Sequence, residues 1–542
     1  MRFKHKMLVS SILGVCAGAG GFTAPAQAMN LYNGMTQGNN LVVNLTTTLS
    51  YTGIVRTNNP SKVLTGLSNA NGSEGDLAHA HGLVSSQFEI LPVLDIKDGH
   101  FGMHFSGEAY VNTVYLGPNQ FNQAATLNPI SVARPNDYTS ATRNVEGLNA
   151  RLLDAFVYNT WNFGKNDNQA LTVKVGRQTL LWGQSLFLAN NGIAAGMAPF
   201  DVIMSNTNPN AQTQQKIMPV GQAVVTYQPN SILTLQGYYQ FQWQPDNLEA
   251  VGGYFSSTDI LDAGGQRLIF YPGGALYPGS PIYGVPRTKD LRPEAQNGQF
   301  GLSAQLTVGN YDIGFYALRY DSKAPTVYLN STASAYQLVY PRDIWVEGTA
   351  FSTTVGPANV AGELSFRQHM NLVTGANVAG PNTNANSNPA YPVGDTMAAQ
   401  VSAIYVSPPL MLDPGGVSMS GEIGFNHVLD VTANKAAITQ GRTSTAADMQ
   451  FLLTPTYYGV YPNLVLSFPI GMSYNLYGRS MIDSTENHGT GDFNIGVQAT
   501  YKVNWIASLT FNDYIGAPNP HLSGISSVAD RNYVMFNIQH SF

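Results

Sequence analysis

The last eleven residues, NYVMFNIQHSF (532–542), alternate in character right up to the final position. Phe542, His540, Ile538, Phe536 and Val534 share one side, and Ser541, Gln539, Asn537, Met535 and Tyr533 share the other. Successive strand residues point to opposite faces, so this is a β-strand with one apolar and one mainly polar face. It stops at an aromatic residue, in mid-strand. A strand ending this way presents a bare edge unless another strand covers it, and pairing with the first strand of the chain closes a ring.

Working back from the terminus, the period of two recurs. In GDFNIGVQATYKV (491–503), Phe493, Ile495, Val497, Ala499, Tyr501 and Val503 oppose Asn494, Gln498, Thr500 and Lys502. In GQFGLSAQLTVG (298–309), Phe300, Leu302, Ala304, Leu306 and Val308 oppose Gln299, Ser303, Gln305 and Thr307. LVVNLTTTLSYTGIV, FGMHFSGEAYVNTVY and SILTLQGYYQFQWQ repeat the pattern. Soluble sandwiches alternate too, and the connections separate the two cases. Short turns such as Asp98-Gly99, GKNDN, QPNS, Gly309-Asn310, Gly356-Pro357 and Val503-Asn504 take turns with long stretches around 56–84, 117–147, 179–218, 245–297, 322–342 and 370–395. Short periplasmic turns and long outer loops are how transmembrane β-barrels are built. The expectation is an all-β, antiparallel transmembrane barrel of about 18 strands (16–18). Residues 449–475 are its least regular part, interrupted by Pro455, Pro462 and Pro469.

Bulk properties agree. Arg2, Lys4 and Lys6, a short apolar run, and Ala26-Gln27-Ala28 read as a secretory signal peptide over residues 1–28, leaving residues 29–542 as a single barrel domain. Cutting there removes three positive charges and no acid, taking the formal net charge from −6 to −9. Cys16, the one cysteine, falls within the leader, so no disulfide framework or thiolate site is expected in the mature chain. Charged residues make up 11% of the chain, against roughly 25% in soluble proteins. No basic block points to nucleic acid. No run of 18 apolar residues supplies a spanning helix, and a closed barrel is the other way to satisfy backbone hydrogen bonds in lipid.

Enzyme signatures are missing: no Gly-x-Ser-x-Gly, no His-Glu-x-x-His, no phosphate loop with Lys. No cofactor and no catalytic residue is expected. His79 and His81 would share a face if extended, but two histidines lack a third ligand and read as a surface loop.

RLLDAFVYNTWNFG (151–164), LTVKVGRQTLLWGQSLF (171–187), APFDV (198–202), KIMPVG (216–221), VAGELSFRQH (360–369) and ADRNYVMFNIQHSF (529–542) resemble the proteobacterial outer-membrane family known as domain of unknown function 1302. The resemblance covers nearly all of the mature chain and implies a porin-like barrel, its members often being associated with lipids or hydrophobic substrates. The family usually carries Glu after Trp-Gly; this chain has Gln184, and a role for that carboxylate is not carried over.

The segment from Thr179 to Ile203, after the fifth strand, is too long for a hairpin, and 15 of its 25 residues are apolar. A solvated outer loop is polar, so this one is expected to fold inward and narrow the lumen. Trp182, Phe187 and Phe200 would supply bulk there, and Arg177, Gln184 and Asp201 polar contacts. The bland alternative is an ion pair between Arg177 and Asp201 that pins the segment to the wall. Alternation assigns Glu108, Asp154, Lys174, Glu363, Arg367 and Glu422 to the lumen.

The function expected is a bacterial outer-membrane channel for small molecules, leaning towards hydrophobic or lipid-like cargo. A general porin for polar solutes and a scaffold acting through its long loops are the alternatives. Expected partners are outer-membrane lipid, the cargo, and the outer-membrane assembly machinery, met through the strand ending at Phe542.

Overall fold

The computed structural model describes residues 29–33, 40–261, 263–294, 298–409 and 415–542. The leader expected at 1–28 lies outside the described residues. Eighteen strands close one antiparallel ring. They are β1 Leu41–Arg56, β2 Leu83–Asp98, β3 Phe101–Asn112, β4 Leu148–Phe163, β5 Gln169–Gln178, β6 Val220–Gln228, β7 Leu233–Gln240, β8 Gln299–Val308 and β9 Tyr311–Tyr320. After these come β10 Ile344–Val355, β11 Ala358–Asn371, β12 Val393–Val406, β13 Val417–Ala433, β14 Thr445–Tyr461, a broken β15 (Leu464–Ser467 and Ile470–Tyr477), β16 Gly491–Tyr501, β17 Trp505–Ile515 and β18 Tyr533–Ser541. The expected strand number and the alternation of long and short connections are both borne out.

The seam answers the question posed by the terminus. β18 pairs with β1 from Thr48↔Ser541 to Arg56↔Tyr533, and Phe542 continues the ladder by exchanging hydrogen bonds of 3.0 and 2.8 Å with Thr47. Below that point the edge of β1 is covered by a short N-terminal strand, Met29–Asn33. At Phe468-Pro469, β15 breaks because proline brings no N–H. Both halves still pair with β14 and β16, and Phe468 N–H donates to Pro455 O, so the wall stays closed.

Two faces diverge at neighbouring residues. On β11, Phe366 is 42% exposed towards lipid while Ser365 and Arg367 are 0% and 3% exposed towards the lumen. Exposed Phe101, Trp161, Tyr311, Tyr461, Trp505 and Phe542 ring the short-turn end, and Phe88, Tyr239, Phe300, Trp345, Phe366 and Tyr477 ring the other. These are the two aromatic girdles of a barrel in a bilayer. No helix among the described residues is long and apolar enough to cross a membrane.

Several short turns place glycine where φ is positive, among them Gly99, Gly309 and Gly356. The β16–β17 turn instead puts Val503 at φ 69°. A β-branched residue there is strained by about 1–2 kcal/mol. Val503→Asn, which tolerates that conformation, is expected to raise the urea midpoint of the folded barrel in lipid vesicles by the equivalent of about 0.5–1 kcal/mol. An unchanged or lower midpoint would count against strain at this turn.

Candidate functional site: a segment braced across the lumen

Residues 179–219, between β5 and β6, fold into the ring rather than over it. The first half packs against an apolar arc of the inner wall. Trp182, Ile193 and Met197 form one buried cluster with Val224, Tyr238, Tyr316, Leu318, Ile344 and Val346 of β6 to β10. The Trp182 indole N–H donates to Gln236 Oε1 at 2.6 Å, so its polar edge is satisfied.

Beyond Trp182 the chain is held by carboxylates. Glu363 on β11 accepts N–H groups from Gln184 (2.6 Å), Ser185 (3.2 Å) and Ile193. Glu422 on β13 accepts from Leu186 (3.1 Å), Phe187 (2.5 Å) and Leu188 (2.7 Å). Arg367 works on the opposite groups, donating to the carbonyls of Asn191 (3.1 Å) and Gly192 (2.7 Å). An irregular backbone inside a barrel lacks the ladder that satisfies its polar groups, and these side chains supply that need. Gly183 permits the approach: its φ is +96°, and an added Cβ would meet Glu363 Oε2 at 2.2 Å.

The second half reaches the far wall. Asp201 caps the helix Val202–Thr207 by accepting Met204 N–H at 2.8 Å, and it forms an ion pair with Arg151 of β4. Arg151 also donates to Glu108 Oε1 at 2.5 Å and to the carbonyl of Gln215 at 3.1 Å. Gln215, in the short helix Thr213–Lys216, donates to Glu108 and to Glu89 of β2. Asn208 reaches Glu89 at 3.0 Å, and Asn210 reaches Asn537 of β18 at 2.7 Å. One segment thus touches β2, β3, β4 and β18 on one side and β7, β11 and β13 on the other.

The expected residues are distributed as follows. Trp182 is buried against the wall and Phe187 is buried as well, Gln184 is held by its backbone N–H, and Phe200 is held through its backbone, its N–H donating to the Asp246 carboxylate and its carbonyl accepting Asn247 N–H. Glu108, Glu363, Arg367 and Glu422 all bond the segment. Asp154 accepts from Ser106 at 3.1 Å and lies 3.8 Å from His104 Nε2, and Lys174 sits over the Phe156 ring. The anticipated Arg177–Asp201 pair does not form. Arg177 instead donates to Leu153 O (2.9 Å) and Gln242 Oε1 (3.3 Å), and Arg151 takes its place. The reason is a bulge: pairing between β3 and β4 shifts from Phe105↔Ala155 to Gly107↔Leu152, which turns Arg151 inward against the alternation set by Asp154. His79 is not at the surface. It is buried, its Nε2 lying 3.0 Å from Gly252 O and 3.2 Å from the Tyr138 hydroxyl, and burial pushes its pKa down to about 3. Among the described residues no cluster of three or more His, Cys, Asp or Glu is placed to hold a metal.

Residues 9–542 match the family model described as "Protein of unknown function (DUF1302)". Among solved structures, the fold is similar to a BenF-like porin from Pseudomonas fluorescens Pf-5, at 12% identity and TM-score 0.43, covering 93% of this chain and 98% of that one. It is also similar to OccAB1 of Acinetobacter baumannii, at 10% identity, 96% and 99% coverage and TM-score 0.44. A third is OpdK of Pseudomonas aeruginosa with vanillate, at 9% identity, 92% and 98% coverage and TM-score 0.41. No curated relative matches the chain.

Proposed function

The chain belongs to the family described as protein of unknown function DUF1302, and on that premise we propose that it is a passive channel of the outer membrane for small molecules without net charge. The leader at 1–28 is removed on export, and residues 29–542 form one barrel domain. The observation that carries this reading is the use made of the lumen's charges. Glu89, Glu108, Arg151, Glu363, Arg367 and Glu422 are all engaged with the crossing segment, so these six form no ring of one sign facing a path, and Asp154 and Lys174, which stand apart from the segment, are of opposite sign. Along β16 to β18 and β1 the inward side chains include the amides and hydroxyls of Asn494, Gln498, Ser508, Thr510 and Thr48. Of the apolar segment that favoured lipid-like cargo, Trp182, Ile193 and Met197 are taken up in packing against the wall.

Proteoliposome swelling tests this. Uncharged sugars and alcohols are expected to enter faster than acids or amines of the same size, and planar bilayers are expected to show conductance steps with weak ion selectivity. Strong preference for one sign of ion would overturn the uncharged cargo. Silent bilayers together with a tightly copurifying lipid would overturn the aqueous channel in favour of hydrophobic cargo.

A further inference from the structure

The braced segment is not the only crossing. The connection from β7 to β8, residues 241–298, leaves one side of the ring and sends Tyr254 and Phe255 to the seam on the other. There they are buried with Ile54 of β1, Val84 of β2 and Met535 of β18. Phe255 meets the Tyr533 ring edge-on at 5.4 Å between centroids. Arg531 fastens the crossing: its Nη1 donates to the carbonyls of Tyr254 (2.7 Å) and Ser256 (2.6 Å), while the Tyr254 hydroxyl donates to Arg531 O at 2.7 Å. The seating is tight. A Cβ on Gly75 of the neighbouring loop would lie 2.2 Å from Gly253 O.

Two features set this contact apart from a permanent tie. First, the charge at its centre is incompletely paired, although the crossing is also held by Tyr254 N–H donating to the Tyr115 hydroxyl at 3.1 Å. Arg531 is fully buried, yet its Nε and Nη2 have no hydrogen-bond acceptor among the described residues, and its nearest carboxylate oxygen, Asp76 Oδ1, is 3.8 Å from Nε. Asp76 Oδ2, Asp259 Oδ1 and Asp530 Oδ1 around it are likewise unpartnered. A buried charge with incomplete pairing is costly, and native proteins keep few such groups. Second, the crossing is bracketed by Gly252 at φ +81° and Gly264 at φ +85°, two positions where the chain bends without a side-chain penalty. Its root is joined to the inner segment: Asn247 exchanges backbone hydrogen bonds with Phe200 (2.8 Å) and Val202 (2.9 Å), and Asn206 donates to Glu249 at 2.7 Å.

We propose that residues 252–261 form a releasable strap across the outer mouth, latched at the seam by Arg531, and that solute passes when the latch lets go. The inference rests on the channel reading above. Cys16 being the chain's one cysteine, Phe255→Cys with Tyr533→Cys introduces a pair that a short bis-methanethiosulfonate can join and a reductant can part. With the full-length exported protein in proteoliposomes, uptake of an uncharged sugar is expected to fall to the protein-free level when the pair is joined and to recover on reduction. Each single-cysteine variant, given the same reagent, is expected to keep its uptake. Arg531→Gln is expected to speed uptake, with the heat-modifiable gel shift of a folded barrel retained. Equal uptake in the joined and parted states overturns the strap alone. Absence of uptake in both states overturns the channel and the strap with it.

Discussion

In planar bilayers, Glu363→Ala combined with Glu422→Ala is expected to carry several times the single-channel current of the unaltered protein. Together the two carboxylates accept the N–H groups of Gln184, Ser185, Ile193, Leu186, Phe187 and Leu188. Each buried N–H left without an acceptor costs about 1–3 kcal/mol. Six such groups on a stretch of ten residues exceed what local packing can retain, so this part of the segment leaves its place and hydrates. An 18-stranded ring without an inner segment encloses a wide aqueous channel. Deleting residues 183–200 sets the upper limit, and the double variant is expected to approach it. Glu363→Gln alone is a milder case, since the amide keeps one accepting oxygen but turns a donor towards other donors. Currents unchanged in both the double variant and the deletion would mean that the segment does not narrow the conducting path.

Raising the pH from about 5 to about 8 is expected to increase the open fraction of the channel, and Glu249→Gln is expected to flatten that response. Glu146, just before β4, and Glu249, at the root of the strap, face the same Gly253: an added Cβ there would lie 2.8 Å from one carboxylate and 3.3 Å from the other. Burial first, then the neighbouring Glu249, raises Glu146 well above the ordinary carboxylate range, and burial pushes Glu249 up to about 7. Asp201 adds to both shifts, Arg531 opposes that on Glu249, and the Tyr115 and Tyr138 rings face Glu146 without charge in this range. The seated state therefore binds more protons than a released one, in which both carboxyls regain ordinary values. Its advantage is complete in acid, below the ordinary carboxylate range, and declines as the pH rises through about 7. A wild-type channel whose open fraction does not change across this range would remove the pair from any part in opening.

Much of this architecture is written locally. Lipid and lumen lie on opposite sides of every wall residue, so Phe366 between Ser365 and Arg367 declares its face without knowledge of its neighbours. The same rule placed Glu108, Glu363 and Glu422 inside, and the apolar content of 179–203 marked the segment they hold. Arg151 was hidden because the register shift at Leu152 reverses the alternation, and a bulge leaves no reliable mark in composition. Glu89, between Phe88 and Ile90, was legible by the same alternation and was passed over. The strap was out of reach for another reason. Residues 245–297 have no period, and Arg531 grips Tyr254 and Ser256 through carbonyl oxygens that any residue could offer.

The bracing of the segment also sets an order in time. The oxygens that secure Gln184 to Ile193 belong to residues 170 to 236 positions further along the chain. Contacts so distant in sequence form late, because the intervening chain must first be organised. The nascent cylinder therefore matures from its wall inward: until β11 and β13 are in position, the stretch that will cross the interior has no acceptors and stays hydrated. A variant slowed at β11 or β13 is expected to dwell as a leaky, hollow intermediate rather than as a half-built wall.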